Sequence, residues 1–372
     1  MSPRTTPPFR ADHVGSLLRP PELHQAREAR ARNAISAADL ARAEDEAIRG
    51  AVKLQEELGL KSITDGEYRR GSWNQDFLQS FSGVEVVQGR ITVRFHSQEG
   101  ALEGRPTGFR IVGKLGRPRG IFVEAFKFLK SVAHATPKVT IPSPTLLHFR
   151  GGREAIDRTT YPDMAGFYAD LARVYAEEIA DLAAAGCRYL QIDETNFAYL
   201  CDPSLRQQVQ SNIGEDPAAL PLTYAKLLNQ AIAGRPKDMA VCIHICRGNN
   251  QSAWVAEGGY EPVAEVLFNA IDVDGYFLEY DTPRAGDFAP LRHLPKGKIA
   301  VLGLLTTKLP QLESKDELKR RIDEAARYAP LDQLALSPQC GFASVAQGNK
   351  ITVADEIAKL RRVIEVAGEV WG

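Results

Sequence analysis

The stretch MAGFYADLARVYAEEIADLAAAGCRYLQIDE, residues 164–194, contains the repeating unit that decides the fold. Residues 164–185 are rich in Ala, Leu, Glu and Arg, and Glu177, Glu178 and Asp181 place a polar face beside an apolar stripe, which predicts a helix. The apolar run Tyr189–Asp193 follows and ends in acidic residues, which predicts a buried strand. A helix followed directly by such a strand is the building unit of an α/β protein.

The same alternation continues along the chain. Eight apolar or β-rich runs are predicted as strands: Ala11–Leu17, Ser62–Asp65, Lys138–Pro142, Tyr189–Asp193, Ala240–His244, Gly275–Glu279, Ala300–Leu304 and Leu334–Ser337. The clearest helical patterns are Ala37–Leu58, Met164–Ala185, Pro217–Ala233, Glu261–Ala270, Lys315–Tyr328 and Ala354–Val370. Eight such units predict a closed (β/α)8 TIM barrel, with a doubly wound open sheet as the alternative. Polar residues end at least five of the eight strands, whereas an open sheet concentrates them at one crevice, and this favours the barrel.

Two regions depart from the alternation. Residues 83–123 contain Val, Ile, Phe and Thr runs broken by Gly and Pro, which predicts a β-hairpin insertion after the second strand. Such an insertion forms either a solvent-facing excursion or a lid. The first 60 residues are rich in helical pattern and predict an N-terminal helical extension that includes Ala37–Leu58. Because no repeat or linker is evident, residues 1–372 are expected to form a single catalytic domain.

Composition excludes several classes of protein. The net charge of the 372 residues is −1, which gives no electrostatic case for nucleic acid or for an acidic membrane surface. No apolar run approaches a membrane span, and the N-terminal residues lack the apolar core of a secretory signal. Five scattered cysteines do not suggest a disulfide framework. A reducing, cytoplasmic location is therefore expected, and it would keep thiolates free to bind a metal.

Metal-ligand residues follow three of the predicted strands. His244 and Cys246 lie in HICRGN (244–249), Glu279 in FLEYDT (277–282) and Cys340 in LSPQCGFAS (336–344). If these strands belong to one parallel barrel, the four side chains meet at its C-terminal mouth. Histidine, carboxylate and two thiolates form a ligand set for Zn²⁺ rather than for magnesium or calcium.

The spacing of these residues bears on the role of the metal. A structural zinc site has closely spaced ligands that stabilise a small or loop-rich unit, whereas these ligands span almost a hundred residues of a scaffold that needs no such support. Catalysis is therefore favoured over a structural site. An ion with two thiolates and one carboxylate activates water poorly, but it can bind a thiol and keep it deprotonated at neutral pH. The expected reaction is attack by sulfur on an alkyl group.

Further polar residues follow other predicted strands. Gly15 and Ser16 lie near the end of the first strand, Glu67 follows the second, and Asp193 ends the fourth. Acidic groups at a small barrel mouth can bind the ammonium group of a substrate. For Asp193 the alternative is a carboxylate satisfied by backbone donors, and for Ser16 a turn residue.

Three arginines, Arg69, Arg70 and Arg150, are also predicted near the mouth. They fit either a solvated rim with ion pairs between loops or a site for an anionic substrate tail.

The motifs VGS, DGE, QIDE, H-x-C, a strand-end Glu and a late Cys-Gly occur in an order that resembles the catalytic barrel of cobalamin-independent methionine synthase. The nearest resemblance is to the short, single-barrel branch, carried by RADHVGSLLRP, QIDETNFAYLCD, HICRGN and LSPQCGFAS, and it extends from about Phe9 to the last helix. The resemblance implies zinc-dependent methyl transfer to the thiol of homocysteine, giving methionine. It implies metal ligands at His244, Cys246, Glu279 and Cys340, amino-acid contacts at Gly15 and Ser16, and an ammonium-binding pair of Glu67 and Asp193, the latter also catalytic.

The chain departs from that family pattern on the side of the methyl donor. The stretch TIPSPTLLHFRGG (140–152) lacks the tryptophan on which the folate ring of full-length synthases packs, and Lys308 stands where the family has a histidine proposed to protonate the leaving group. The large N-terminal barrel of the full-length synthases has no counterpart in these residues.

The donor therefore stays open between a methylfolate and a simpler methyl donor. Two alternatives are alkylation of this or another thiol by a different electrophile, such as an epoxide, and a zinc-binding protein without catalysis.

Overall fold

The computed structural model describes residues 4–372, in which helices and strands alternate along most of the chain. In chain order the elements are α1 (Pro21–Ala31), α2 (Ala37–Leu58), β1 (Ser62–Ile63), α3 (Gln75–Leu78), β2 (Ser82–Gln88), β3 (Val93–Ser97), β4 (Gly100–Gly104), β5 (Thr107–Gly116), α4 (Val123–Val132), β6 (Thr136–Pro137), β7 (Val139–Pro142), α5 (Leu146–Phe149), α6 (Met164–Ala184), β8 (Tyr189–Glu194), α7 (Asn196–Tyr199), α8 (Pro203–Gln208), α9 (Leu220–Ile232), β9 (Ala240–Ile245), α10 (Glu261–Ala270), β10 (Gly275–Glu279), β11 (Ile299–Leu305), α11 (Lys315–Ala325), β12 (Leu334–Pro338) and α12 (Val353–Trp371).

The parallel strands form a (β/α)8 barrel, as the alternation predicted. Six of them, β7 to β12, pair in sequence order in one parallel sheet. The second barrel position is β1, which pairs in parallel with β6. The third position is divided at Lys138 into β6, which pairs with β1, and β7, which pairs with β8. The barrel closes through a parallel bridge between Ala11 and Leu336 of β12.

The first strand differs from its predicted extent, Ala11–Leu17, because only Ala11 makes a β-bridge. Side chains replace the rest of the ladder: the Asp12 carboxylate accepts the backbone N–H groups of Phe9 and His13, at 3.1 and 2.8 Å. Gly15 then takes a φ of +140°, which ends the extended conformation. On the other side, the Thr64 hydroxyl donates to the Gly15 carbonyl at 2.6 Å and so joins this segment to the second barrel position.

The insertion after β1 is two nested antiparallel hairpins. β2 pairs with β5, and β3 pairs with β4 between them, which confirms the predicted hairpin insertion and adds an inner hairpin. The inner hairpin reaches the opposite side of the barrel, where His96 and Trp254 exchange backbone hydrogen bonds of 2.8 and 3.0 Å. Their rings stack with centroids 5.7 Å apart. The insertion therefore lies across the C-terminal mouth rather than projecting into solvent.

The N-terminal extension consists of two helices, α1 and α2, as predicted. Ser36 and Asp39 form a capping box at the start of α2, and Gly59 ends it in the left-handed conformation. None of the helices in residues 4–372 is both long enough and apolar enough to cross a bilayer.

The barrel interior below the mouth is filled mainly by apolar side chains, including Tyr189, Cys242 and Phe277. One buried ion pair lies among them, since Lys138 Nζ is 3.3 Å from Asp12 Oδ1 and 4.1 Å from the centre of the Phe277 ring. Cys242 belongs to this packed layer, one step below the mouth on the same face of β9 as His244. The chemistry of the mouth therefore rests on a closed, rigid floor.

Candidate active site

Four side chains that could hold a metal ion, called the metal group below, meet at the C-terminal ends of three strands. His244 lies near the end of β9, Cys246 directly follows it, Glu279 ends β10, and Cys340 follows β12. One potential ligand atom from each residue lies within 4.8 Å of the others, and all four residues are buried. The strands thus bring together residues that are almost a hundred positions apart in the sequence.

The geometry of this group fits a tetrahedral ion. Ligand atoms about 2.0–2.3 Å from such an ion lie about 3.3–3.8 Å from one another, so the observed spacing needs only small shifts. The Cys246 and Cys340 sulfurs are already 3.5 Å apart. Both ring nitrogens of His244 are buried without a hydrogen-bond partner. Buried polar atoms normally have partners, and a metal ion would supply the missing one.

The two thiols affect each other. The hydrogen bond between them lowers the pKa of Cys340 and raises the pKa of Cys246. The His244 ring also lowers the pKa of Cys340. The Cys340 sulfur is therefore favoured as a thiolate.

Glu279 is fixed by hydrogen bonds before any ion binds. Its Oε1 accepts the Arg247 backbone N–H at 2.7 Å, and its Oε2 lies 3.3 Å from the Arg284 guanidinium. The Tyr260 hydroxyl accepts a hydrogen bond from the Glu279 backbone N–H at 2.9 Å. Burial alone would raise the pKa of Glu279, but Lys308 and Arg284 outweigh it and hold that pKa below its ordinary value. Such outer contacts orient a ligating carboxylate.

The acidic residues Glu67 and Asp193 line the same cavity as the metal group. Thr140 donates to Glu67 Oε1 at 2.7 Å, and Arg70 Nη1 lies 3.6 Å from the same oxygen. Gln191 donates to Asp193 Oδ1 at 2.7 Å. The pKa of Asp193 is raised to about 7, chiefly by burial, while His244 opposes the shift and the neighbouring Glu67 adds to it. Two buried carboxylates with so few donors attract a cation.

Gly15 and Ser16 form the wall between the acidic residues and the Cys340 loop. A Cβ at Gly15 would lie 2.8 Å from a Thr140 methyl carbon and 3.5 Å from Glu67 Oε1, so the close approach requires glycine. The Ser16 carbonyl and hydroxyl accept the N–H groups of Phe342 and Ala343, at 2.9 and 3.2 Å. These bonds tie the first barrel position to the loop that contains Cys340.

The cavity has a volume of about 990 Å³, part of it open to solvent. His244, Cys246 and Cys340 line it, whereas Glu279 lies behind them. Trp73, Phe95 and Tyr199 contribute aromatic surface, of which Phe95 comes from the hairpin insertion. The missing tryptophan in residues 140–152 therefore does not leave the mouth without aromatic side chains, since other elements supply them.

Lys308 lies beside this cavity rather than in it. It lines a neighbouring cavity with Trp254, Asp281 and Arg284, is only 3% exposed, and has no hydrogen-bond partner for Nζ within residues 4–372. Because Lys308 lowers the pKa of Glu279, its charge acts on the metal group.

The three arginines near the mouth have different surroundings. Arg69 is ion-paired with Glu44 at 3.2 Å and with Asp45, as a rim residue would be. Arg70 is buried against Glu67 and donates to the Thr140 carbonyl at 2.7 Å. Arg150 lines the cavity and is 4% exposed. The interpretation as a solvated rim is therefore wrong for Arg150.

Several residues of the site were not identified from the sequence. Arg247 and Tyr260 hold Glu279, and Asn249 donates to the Gly341 carbonyl at 2.9 Å, which joins the Cys246 and Cys340 loops. Arg247 and Asn249 lie in the HICRGN stretch that also contains His244 and Cys246, and this proximity in the sequence could have identified them as residues of the site. Tyr260 lies outside that motif, before α10, and no pattern in the sequence around it indicated a role in the site.

The fold and site define a (β/α)8 protein with a buried His/Cys/Glu/Cys group at its mouth that could hold a metal ion. The family model described as "Cobalamin-independent synthase, Catalytic domain" matches residues 9–369. The chain belongs to that family.

Relatives of two different lengths match this chain. Two uncharacterized proteins of Bacillus subtilis, YxjG and YxjH, are 44% and 43% identical to it, covering 99% and 98% of this chain and 96% and 95% of their own. A 5-methyltetrahydropteroyltriglutamate–homocysteine methyltransferase of Thermosynechococcus vestitus is 30% identical over 91% of this chain, which corresponds to 40% of the longer protein.

Among solved structures, a Listeria monocytogenes protein described as a vitamin-B12-independent methionine synthase superposes with a TM-score of 0.77, at 37% identity over 99% of this chain and 100% of that one. A B12-independent methionine synthase from Shewanella, solved with selenomethionine, gives a TM-score of 0.71 at 19% identity, with 97% of each chain covered, and supports the fold.

Proposed function

We propose that this protein is a zinc-dependent methyltransferase that methylates the thiol of homocysteine to give methionine. The observation that carries the proposal is the convergence of His244, Cys246, Glu279 and Cys340 at the wall of a cavity that two buried acidic residues also line. Membership of the cobalamin-independent synthase family supports it, as does the name of the methyltransferase from Thermosynechococcus.

The four ligand residues would hold Zn²⁺, which supplies a positive charge that lowers the pKa of a bound thiol. The chain contributes the orientation of these ligands. Glu279 is held by the Arg247 N–H and by Arg284, and the Cys340 loop is held by Ser16 and Asn249. Such support keeps the ligand atoms at fixed positions during turnover.

The acidic pair and the first barrel segment would bind the amino-acid part of the acceptor. Glu67 and Asp193 attract the ammonium group, because their buried carboxylates have few other donors. The Gly15–Ser16 segment presents its backbone close to Glu67, where the rest of the amino acid would lie. These contacts place the sulfur toward the metal group and exclude thiols that lack the ammonium.

In the transfer the acceptor thiol loses its proton, and its sulfur forms a bond to the methyl carbon of the donor. The bond between that carbon and the donor breaks, and the leaving group takes up a proton. Asp193 is the candidate for taking up the thiol proton at the acceptor side. Lys308, which the sequence predicts as the proton donor to the leaving group, lines a neighbouring cavity rather than this one. The position of Lys308 beside Glu279 gives it a second proposed role, the electrostatic support of that ligand.

The donor would occupy the part of the cavity lined by Trp73, Phe95 and Tyr199. A methylfolate fits an aromatic lining, and so does a smaller methyl donor. The decisive experiment is a panel of methyl donors incubated with the zinc-loaded protein and homocysteine, with methionine measured by mass spectrometry. Methionine formation with at least one donor, dependent on Cys340, is expected. Alkylation of the thiol by an epoxide without methionine from any methyl donor would replace this proposal with a related alkyltransferase.

A further inference from the structure

Arg150 is a buried cation at the cavity wall whose charge no protein group balances. It is 4% exposed, and its Nε and Nη1 atoms are buried without a hydrogen-bond partner within residues 4–372. Among those residues no carboxylate oxygen lies within 4.0 Å of it, whereas Arg70 and Arg284, also at the mouth, both have acidic partners. Burying an unpaired guanidinium is costly, so the position is one where a ligand is expected to supply the anion.

The guanidinium is held in place. Arg150 directly follows α5, its backbone N–H donates to the Leu146 carbonyl at 3.3 Å, and its carbonyl accepts the Arg90 N–H at 3.1 Å. Its guanidinium carbon lies 5.7 Å from the centre of the Tyr199 ring. Since the backbone and the aromatic face both restrict the side chain, its position is set before a ligand binds.

The location of Arg150 assigns it to one of the two substrates. Glu67 and Asp193, the acceptor residues, have other partners, and neither is ion-paired with Arg150. Arg150 instead adjoins Tyr199 and the base of the hairpin insertion, where the cavity has its aromatic lining.

We propose that Arg150 is a specificity-determining residue that binds an anionic oxygen group, a carboxylate or a phosphate, on the alkyl donor. The inference rests on the proposed transfer reaction for the identity of that ligand as the donor. Arginine binds a carboxylate or a phosphate through two parallel N–H donors. This forked arrangement of the guanidinium favours such oxygen anions over halide ions. A donor without such a group would leave the guanidinium unpaired and would bind more weakly.

The test uses calorimetric titration of the zinc-loaded protein with two anion probes, glutarate and inorganic phosphate, and separately with homocysteine. Arg150→Met retains the volume of the side chain without its charge, and Arg150→Lys retains the charge without the fork. Arg90→Met, an exposed arginine at the base of the same hairpin, is the matched control. We expect Arg150→Met to weaken binding of the favoured probe by about tenfold or more, Arg150→Lys by less, and Arg90→Met not at all. Homocysteine affinity should change by less than about twofold in all three.

The probe that binds more tightly identifies the anion as carboxylate or phosphate. Unchanged probe affinity in Arg150→Met, or a loss confined to homocysteine, would overturn the inference. In the unmodified protein the favoured probe should compete with the donor and not with homocysteine. This measurement does not depend on the folding of a variant. Competition with homocysteine alone would contradict the assignment of Arg150 to the donor. If no methyl transfer occurs but anion binding still depends on Arg150, the proposed function is rejected and the anion site is retained. If transfer is active and Arg150→Met leaves the KM for the donor unaltered, the anion site is rejected and the proposed function is retained.

Discussion

Asp193 of β8 and His244 of β9 are register partners on neighbouring parallel strands. Paired residues of adjacent strands point to the same face of a sheet, so both side chains are directed into the barrel mouth. One residue of the proposed ammonium site, Asp193, and one residue of the metal group, His244, are therefore positioned by paired strands. A ligand that carries an ammonium and a thiol a few bonds apart can satisfy both positions, which is the geometric basis for selecting a thiol amino acid.

Cys246→Ser and Cys340→Ser are each expected to lose most of the bound metal while the barrel stays folded. The ligands lie at the rim of the barrel, above the packed floor, so their loss leaves the core intact. Metal analysis of the purified variants, with circular dichroism to monitor folding, checks this. Cys201→Ser is the matched control, because Cys201 is buried outside the metal group and donates to the Phe197 carbonyl. Full zinc occupancy in both ligand variants would remove the assignment.

Asp193→Asn is expected to weaken homocysteine binding by roughly 1.5–3 kcal/mol, the range for a hydrogen bond to a charged group. The amide keeps the shape of the carboxylate and removes the charge that attracts the ammonium. Isothermal titration calorimetry of the zinc-loaded protein measures the change. The corresponding thiol acid without the amino group provides the comparison, since its affinity should not respond to the substitution. An equal loss for both ligands would place Asp193 outside the ammonium site.

We expect a monoglutamyl methylfolate or a non-folate donor to support higher kcat/KM than a triglutamyl methylfolate. Arg150 offers one unpaired cation at the cavity wall, so additional carboxylates on a longer tail gain no matching partner there. Steady-state rates of methionine formation with donors of both lengths check this. Turnover with the triglutamyl donor alone would contradict it and would make the chain resemble the long synthases in donor choice.

The stability of the protein is expected to fall as the pH is lowered from 6.5 toward 4, in part through His13. Burial and the nearby Lys138 lower the pKa of His13 from 6.5 to about 4. Below pH 6.5 the unfolded chain takes up a proton at His13 while the folded state keeps the ring neutral. The free energy of unfolding is therefore at its full value above pH 6.5 and decreases as the pH falls toward 4. The shift corresponds to about 3 kcal/mol.

Urea unfolding at pH 7.5 and pH 4.5 measures this effect. His13→Gln, which can still donate to the Ser62 carbonyl as His13 Nε2 does, should show a smaller loss between the two pH values. His293→Gln, at a half-exposed position outside the mouth, is the control and should behave like the unmodified protein. An identical pH dependence in His13→Gln would exclude His13 as the cause.

The barrel could be predicted because its signal is repeated and local. Each helix has an apolar stripe and each inner strand is an apolar run, so the alternation survives errors at single positions. The first strand could not be predicted in the same way, because side-chain bonds replace most of its ladder. The Asp12 carboxylate accepts from Phe9 nearby in the sequence, but Thr64 donates to Gly15 across 49 positions, a contact that exists only in the folded chain. Lys138, at the break in the third strand, is fixed by the buried Asp12, which is also distant in sequence.

The candidate ligands could be predicted because their residue types are unusual at strand ends. Their supporting residues could not, since the contact between Tyr260 and Glu279 follows from how α10 packs on β10. The burial of Arg150 depends on the hairpin base and on Tyr199, and an arginine followed by two glycines looks from its sequence like an exposed loop.

X-ray absorption at the zinc edge, recorded with and without homocysteine, tests the central claim most directly. The account predicts a resting site with two sulfur and two nitrogen or oxygen neighbours, contributed by Cys246, Cys340, His244 and Glu279. Saturating homocysteine should add one sulfur neighbour, and Asp193→Asn should require more homocysteine to reach the same spectrum. A spectrum that does not change at saturating homocysteine would contradict the proposal that this site binds the acceptor thiol.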